Sequence, residues 1–294
     1  MIRHNFLVNE QAATQFVNGV LALKDPARFP WPSNPELSIY DFFVFWHART
    51  MMTLTPPDQN DRNAAHSGPA FLPWHRYMLL RFESYLRAAV DDDTFRLPYW
   101  DWSADAELTS PRRSPVWSTS RLGRFLRSDF VVRVGMNAAG QVVRANRRLQ
   151  RALSQAGDLP IREDVRLVIE EQAEYDTEPY NSDSTGFRND LEGWIGPNVH
   201  NIVHVWVGGD MQLATSPNDP AFYLHHCNVD RIWSAWQARH PDAIYQPPAE
   251  APASLLFHRQ NDALYTFFDE AVTPGDMWSH AEQYEYDRME DLIG

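Results

Sequence analysis

The stretch NVHNIVHVWVGG, residues 198–209, combines the composition of a buried helix with two histidines. Its apolar residues support a short helix of about residues 199–207, and Gly208-Gly209 supplies the stop. His200 and His204 stand four residues apart, so their side chains share one helix face and can hold one ion between them. Alone the pair says little, because the chain has 11 histidines. Three further apolar stretches carry histidines in the same way: His47 in DFFVFWHART, His75 in FLPWHRYMLL, and His225-His226 in FYLHHCNVD. An imidazole among Phe, Trp and Leu needs a partner for its ring nitrogens. One such residue is usually a satisfied core histidine; a set of them points to bound metal. His66, in a polar loop, reads by itself as a surface residue.

Helices surround these positions. Asn9 caps one of about residues 10–24, with Phe16, Val17, Val20 and Leu21 on one face. A very apolar helix of about residues 38–52 holds His47. After a polar loop from Pro56 to Gly68, Pro73 sits in the first turn of a helix that ends before Asp91. Asp219-Pro220 forms a cap-plus-first-turn pair for a helix of about residues 220–239. Residues 104–190 are the least legible. There Val131–Val134 and Gln141–Val143 read as a small hairpin about Asn137-Ala138-Ala139-Gly140, and Arg162 to Glu174 as a surface helix. No repeat or low-complexity linker divides the 294 residues, so one domain over 1–294 is the simplest organisation.

The balance of 26 Lys+Arg against 39 Asp+Glu gives a formal charge of −13. That acidity disfavours nucleic acid and anionic membranes as partners. Cys227 is the only cysteine, which excludes intrachain disulfides and Cys-based zinc or iron–sulfur sites. No apolar run is long enough to span a bilayer, and MIRHNFLVNE lacks the layout of a signal peptide. The expectation is a soluble protein of the cytoplasm, or one exported by means not encoded in this chain.

The neighbours of the histidines narrow the metal. A zincin protease needs Glu directly after the first histidine of the helical pair, and that residue is Asn201. A carboxylate-bridged di-iron bundle needs Glu three residues before a histidine, and no histidine has an acid there. All-imidazole ligation suits copper best; zinc held by three histidines stays open.

With these residues in place the sequence resembles the type 3 copper proteins, and among them the bacterial tyrosinases. The first copper stretch of that family has a helical His, a loop His, and a His after Phe-Leu-Pro-Trp; here these are His47, His66 and His75. The second has His-x-x-x-His, Gly-Gly, Ser-Pro-Asn-Asp-Pro and His-His. Here it is His200, His204, Gly208-Gly209, Ser216 to Pro220 and His225-His226. By the family's pattern His226, not His225, is the third ligand. Leu97-Pro98-Tyr99-Trp100-Asp101-Trp102 matches the motif between the two stretches. Tyr284-Glu285-Tyr286 resembles the terminal Tyr-x-Tyr that pairs with an early arginine, here Arg3, a contact expected to tie the two termini together on the domain surface. The likeness covers roughly residues 1–103 and 187–287.

The resemblance implies a mainly α fold: an antiparallel four-helix bundle around a dicopper centre, with irregular segments and few short strands outside. It implies two copper ions, each on three histidines, with dioxygen as co-substrate and a small phenolic substrate. It also implies, in some relatives, a separate copper-loading helper protein. Hydroxylating a monophenol requires a phenolate, and a free phenol has a pKa of about 10, so a carboxylate holding a water could take the proton. Glu192 and Asn201 match the family's water-holding pair. Without the resemblance, Glu192 reads as an exposed loop acid and Asn201 as a polar helix residue. Phe222 is expected over the second copper, or as core filler. Asp230, one turn beyond His226, either orients a ligand ring or pairs with another helix. Ala64 stands where some relatives have a cysteine cross-linked to the loop histidine, so no thioether forms here, and Cys227 reads as a small buried filler. The sequence ends soon after Tyr286, so no lid domain is expected over the site. The reading is a tyrosinase. Alternatives are a strict catechol or o-aminophenol oxidase, a hemocyanin-like oxygen carrier, and a zinc hydrolase.

Overall fold

The structure, a computed structural model, describes residues 1–293 and is built mainly from helices. Strand β1 (Ile2–Arg3) precedes helix α1 (Glu10–Leu23). Strands β2 (Pro30–Trp31) and β3 (Asn34–Ser38) form an antiparallel pair leading into α2 (Ile39–Met51). Then come α3 (Phe71–Val90), α4 (Trp102–Ala106), the antiparallel strands β4 (Val131–Met136) and β5 (Val142–Arg148), and α5 (Arg162–Glu171). The chain continues through α6 (Phe187–Glu192), α7 (His200–Val207), α8 (Ala221–Arg239) and β6 (Glu285–Tyr286), which lies parallel to β1.

Local chemistry sets the helix ends. The Asn9 side chain accepts from the Ala12 amide at 2.9 Å, as a cap should. Ser38 and Asp41 close a capping box on α2. The same Asp41 pairs with the buried Lys24 ammonium and so joins the end of α1 to α2. Helix α3 ends at Asp91, in the left-handed region with φ 54°. The Gly208-Gly209 turn stops α7, and Gly209 has no substitute. Its φ is +57°, and an added Cβ would lie 2.3 Å from the Gln150 carbonyl oxygen. Helix α8 starts one residue later than expected, and Asp219 accepts from the Ala221 amide at 2.9 Å. Helix α5 stops at Glu171 rather than Glu174, and the β4–β5 hairpin is longer than expected.

Helix α1 packs on α3, α3 on α8 and α8 on α5, about a core rich in fully buried tryptophans, including Trp46, Trp74, Trp100, Trp206 and Trp233. One expectation is corrected at its edge and another is decided. Arg3 does meet both terminal tyrosines, but inside the protein rather than on its surface. Its guanidinium is 0% exposed, lies 3.5 Å over the Tyr284 ring and donates to Tyr286 Oη at 3.2 Å. Asp230 takes the second of its two readings and pairs with other elements rather than with a ligand ring. Its oxygens accept from Arg76 at 2.6 Å, Arg3 at 3.1 Å and Tyr284 Oη at 2.6 Å, and from Tyr286. Burial alone would push this carboxyl up, but the two guanidinium charges hold it at about 2. Among the described residues no helix is long and apolar enough to cross a membrane.

Candidate metal centre

Two groups of histidines face each other between α2, α3, α7 and α8. The first is His47 from α2, His75 from α3 and His66 from the loop between them, with ligand atoms all within 4.8 Å of one another. His66 is buried, not a surface residue: its ring lies 4.8 Å from His75 and 5.2 Å from His47. The second is His200 and His204 from α7 with His226 from α8. Their Nε2 atoms lie 3.0, 3.3 and 3.4 Å apart. The groups abut where His75 and His226 stack at 4.2 Å, 7° from parallel.

Hydrogen bonds on the far side of the rings decide what the near side offers. His47 Nδ1 donates to the Ala214 carbonyl, His75 Nδ1 to Phe71 and His204 Nδ1 to Met211, each at 2.7 Å. His200 Nδ1 lies 3.3 Å from the Glu192 carbonyl and 3.1 Å from Asn201 Oδ1. A carbonyl only accepts, so the proton sits on Nδ1 and Nε2 is left with a lone pair pointing inward. Nε2 of His47 and of His75 is buried and meets no partner among the described residues. Burial keeps the rings neutral: it pushes His47 down to about 3 and His204 to about 4, and the other four well below their ordinary value. Converging lone pairs that cannot take up protons are satisfied by a cation. This donor set fits two ions, each on three neutral nitrogens, and imidazole-only ligation favours copper.

A cleft of about 580 Å³ opens over both groups, with Met51, Asn63, Trp194, Asn201, Val205 and Leu213 at its walls and rim. It is the size of a small-molecule site. Phe222 packs between the groups, 4.2 Å from the His226 ring and 5.0 Å from His47, so it touches both sides rather than covering one. Cys227 is buried, and burial pushes its thiol up to about 12, which suits a filler.

Glu192 is not an exposed loop acid. It ends α6, is 0% exposed, and accepts from the Ser67 amide at 2.7 Å and from Arg188 at 3.1 Å. Burial raises its pKa, and Arg188 opposes that shift. Its backbone carbonyl and the Asn201 side chain lie on the same nitrogen of His200.

Several contributors were not anticipated. Arg188 also forms a two-pronged pair with Asp176, at 2.8 and 3.0 Å, and so anchors Glu192. Its place one helical turn before Glu192 was the available signal. His258 holds the loop that carries His66: it contacts Thr55 Oγ1 at 2.9 Å and accepts from the Ala70 amide at 3.2 Å. Nothing local in the sequence marks it.

Comparison with known proteins agrees with this geometry. Residues 37–239 match the family described as the common central domain of tyrosinase. The chain is 41% identical over 278 residues to a tyrosinase of Streptomyces glaucescens, covering 93% of each chain. It is 38% identical over 278 residues to one of Streptomyces antibioticus, covering 93% of this chain and 94% of that one. Among solved structures it resembles a polyphenol oxidase from Thermothelomyces thermophila with a TM-score of 0.64 at 20% identity, covering 98% of this chain and 89% of that one. The fold is thus the helical bundle expected from the sequence, and the chain belongs to the tyrosinase family.

Proposed function

We propose that this protein oxidises phenols with dioxygen at a dinuclear copper centre. In this reading it hydroxylates monophenols ortho to the existing hydroxyl and oxidises o-diphenols to o-quinones. His47, His66 and His75 hold one copper, and His200, His204 and His226 the other. The observation that carries it is the convergence of buried, unprotonated imidazole nitrogens in two adjoining groups beneath an open cleft. Bound copper supplies the redox chemistry with dioxygen. The protein's own residues position the substrate and handle its proton. The cleft walls admit an aromatic ring, with Trp194 half-exposed at the rim. Glu192 and Asn201 hold a water beside His200 that accepts the phenol's proton. The anchoring of Glu192 by Ser67 and Arg188 fixes its direction, and its burial raises its basicity.

Loading by a helper protein, as the resemblance to relatives implies, belongs to the same reading, as does residence in the cytoplasm or export with that helper. Copper-loaded protein given a matched monophenol and o-diphenol under air should consume oxygen and form quinone from both. Quinone from the diphenol alone would make it a strict diphenol oxidase. Oxygen bound but neither substrate oxidised would make it a carrier.

A further inference from the structure

His225 lies beside the second histidine group without an assigned part. Its ring stacks on His200 at 5.0 Å and 14°, and one of its nitrogens is within 4.8 Å of the ligand atoms of His200, His204 and His226. By distance alone it could serve as the third ligand as well as its neighbour does. The difference is in the protons. The indole Nε1 of Trp102 lies 3.1 Å from His225 Nδ1, and both side chains are fully buried. An indole N–H can only donate, so Nδ1 must present its lone pair to it. A neutral ring whose Nδ1 is an acceptor carries its proton on Nε2. That is the reverse of His200 and His204, whose Nδ1 protons lie on oxygens and whose Nε2 lone pairs face inward. Trp102 is itself held in place: it opens α4, which the Asp101 side chain caps through the Ala104 amide.

We propose that Trp102 keeps His225 out of the metal coordination sphere: its N–H occupies Nδ1, the proton stays on Nε2, and the third place at the second copper falls to His226. The proposal rests on the copper assignment above. Trp102 and His225 are then positioning residues, which make one of two adjacent histidines the ligand by controlling where its neighbour's proton sits.

Two measurements test it. In metal-free protein carrying ¹⁵N-histidine, long-range proton–nitrogen correlation spectra report the protonation of each ring nitrogen. The His225 signals are identified by their loss in His225→Phe. His225 should show an unprotonated Nδ1 and a protonated Nε2, with the opposite pattern for His200 and His204. This arm needs only the wild-type fold. In the second, the ligand-field absorption of cobalt(II)-loaded protein reports coordination. Trp102→Phe keeps the bulk but removes the donor, and should shift that absorption. Adding His225→Phe to Trp102→Phe should return it to the wild-type spectrum, which a packing role for Trp102 would not produce. A protonated Nδ1 on His225, an unshifted Trp102→Phe spectrum, or no recovery in the double variant overturns the proposal alone, provided the wild type binds two coppers. A wild type that binds neither cobalt nor copper overturns the copper assignment and this proposal together.

Discussion

Individual ring protons decide which nitrogens of this site can bind metal, and individual side chains decide what happens to the substrate's proton. Glu192 is the sharpest case. It is buried, raised in pKa and anchored on both oxygens, so Glu192→Gln retains the shape while removing the charge that makes a held water basic. General-base assistance is worth about 10²–10⁴-fold, so monophenol turnover should fall by that order. Diphenol turnover should fall far less, because its first hydroxyl is more acidic and no oxygen insertion is needed. Copper content should stay at the wild-type level. The check is the ratio of initial rates on a matched monophenol and diphenol. Equal loss on both would make Glu192 structural. The resemblance was needed to single this residue out, because an acid beside Gly193 and Trp194 carries no local mark of burial. Its burial comes from Arg188 and Asp176, outside the stretches the resemblance covers or at their edge.

Elements divide by how they are stabilised. The helices bearing His47, His75, His200, His204 and His226 were legible because apolar periodicity and caps act over a few residues. Residues 104–190 were legible only at the β4–β5 hairpin and α5, because the rest acts through long-range charge pairs that leave no periodic trace. Arg151 pairs with Asp219 at 2.6 Å ahead of α8, Arg147 with Asp210 after α7, and Asp176 with Arg188 on α6. The loop carrying His66 is polar in composition and so reads as exposed. It is buried because His258 and Arg62 fasten it, the latter to the Ser254 carbonyl at 2.9 Å. His258→Ala should therefore loosen this loop. Amide exchange at residues 66–70 should speed up, and chelator dialysis should strip one copper sooner than the other. Simultaneous loss of both would contradict the assignment of His258 to this element. The same histidine gives the loop a pH dependence. Burial pushes it down to about 3, so its neutral, Ala70-accepting form is favoured by the fold. Its contribution is full above its ordinary value of 6.5 and is lost as pH falls toward 3. The protection of the Ala70 amide, the intrinsic exchange rate at each pH relative to the observed one, should fall on the acid side of that range.

Across the whole molecule, a buried charge network joins the beginning of the chain to its middle and end. Arg3 meets Glu83 at 3.2 Å and Asp230 at 3.1 Å, and Asp230 binds Arg76 and both terminal tyrosines. We propose that this network makes the chain unfold as one domain. Asp230→Asn leaves two buried guanidinium groups without their shared carboxylate, a loss of about 3–5 kcal/mol. Denaturant unfolding should show one transition in the wild type and a lower midpoint in the variant; two separated transitions would contradict a single unit. Asp230 is held from its ordinary 3.8 down to about 2, so its contribution, on the order of 2 kcal/mol, is present above about pH 4 and fades as pH falls toward 2. The central claim, that six buried histidines form two metal sites, is tested most directly by counting copper. Elemental analysis of the copper-reconstituted, desalted protein should give two coppers per chain in the wild type and one in His66→Ala. A wild type that retains no copper, or a His66→Ala variant that retains both, would contradict it.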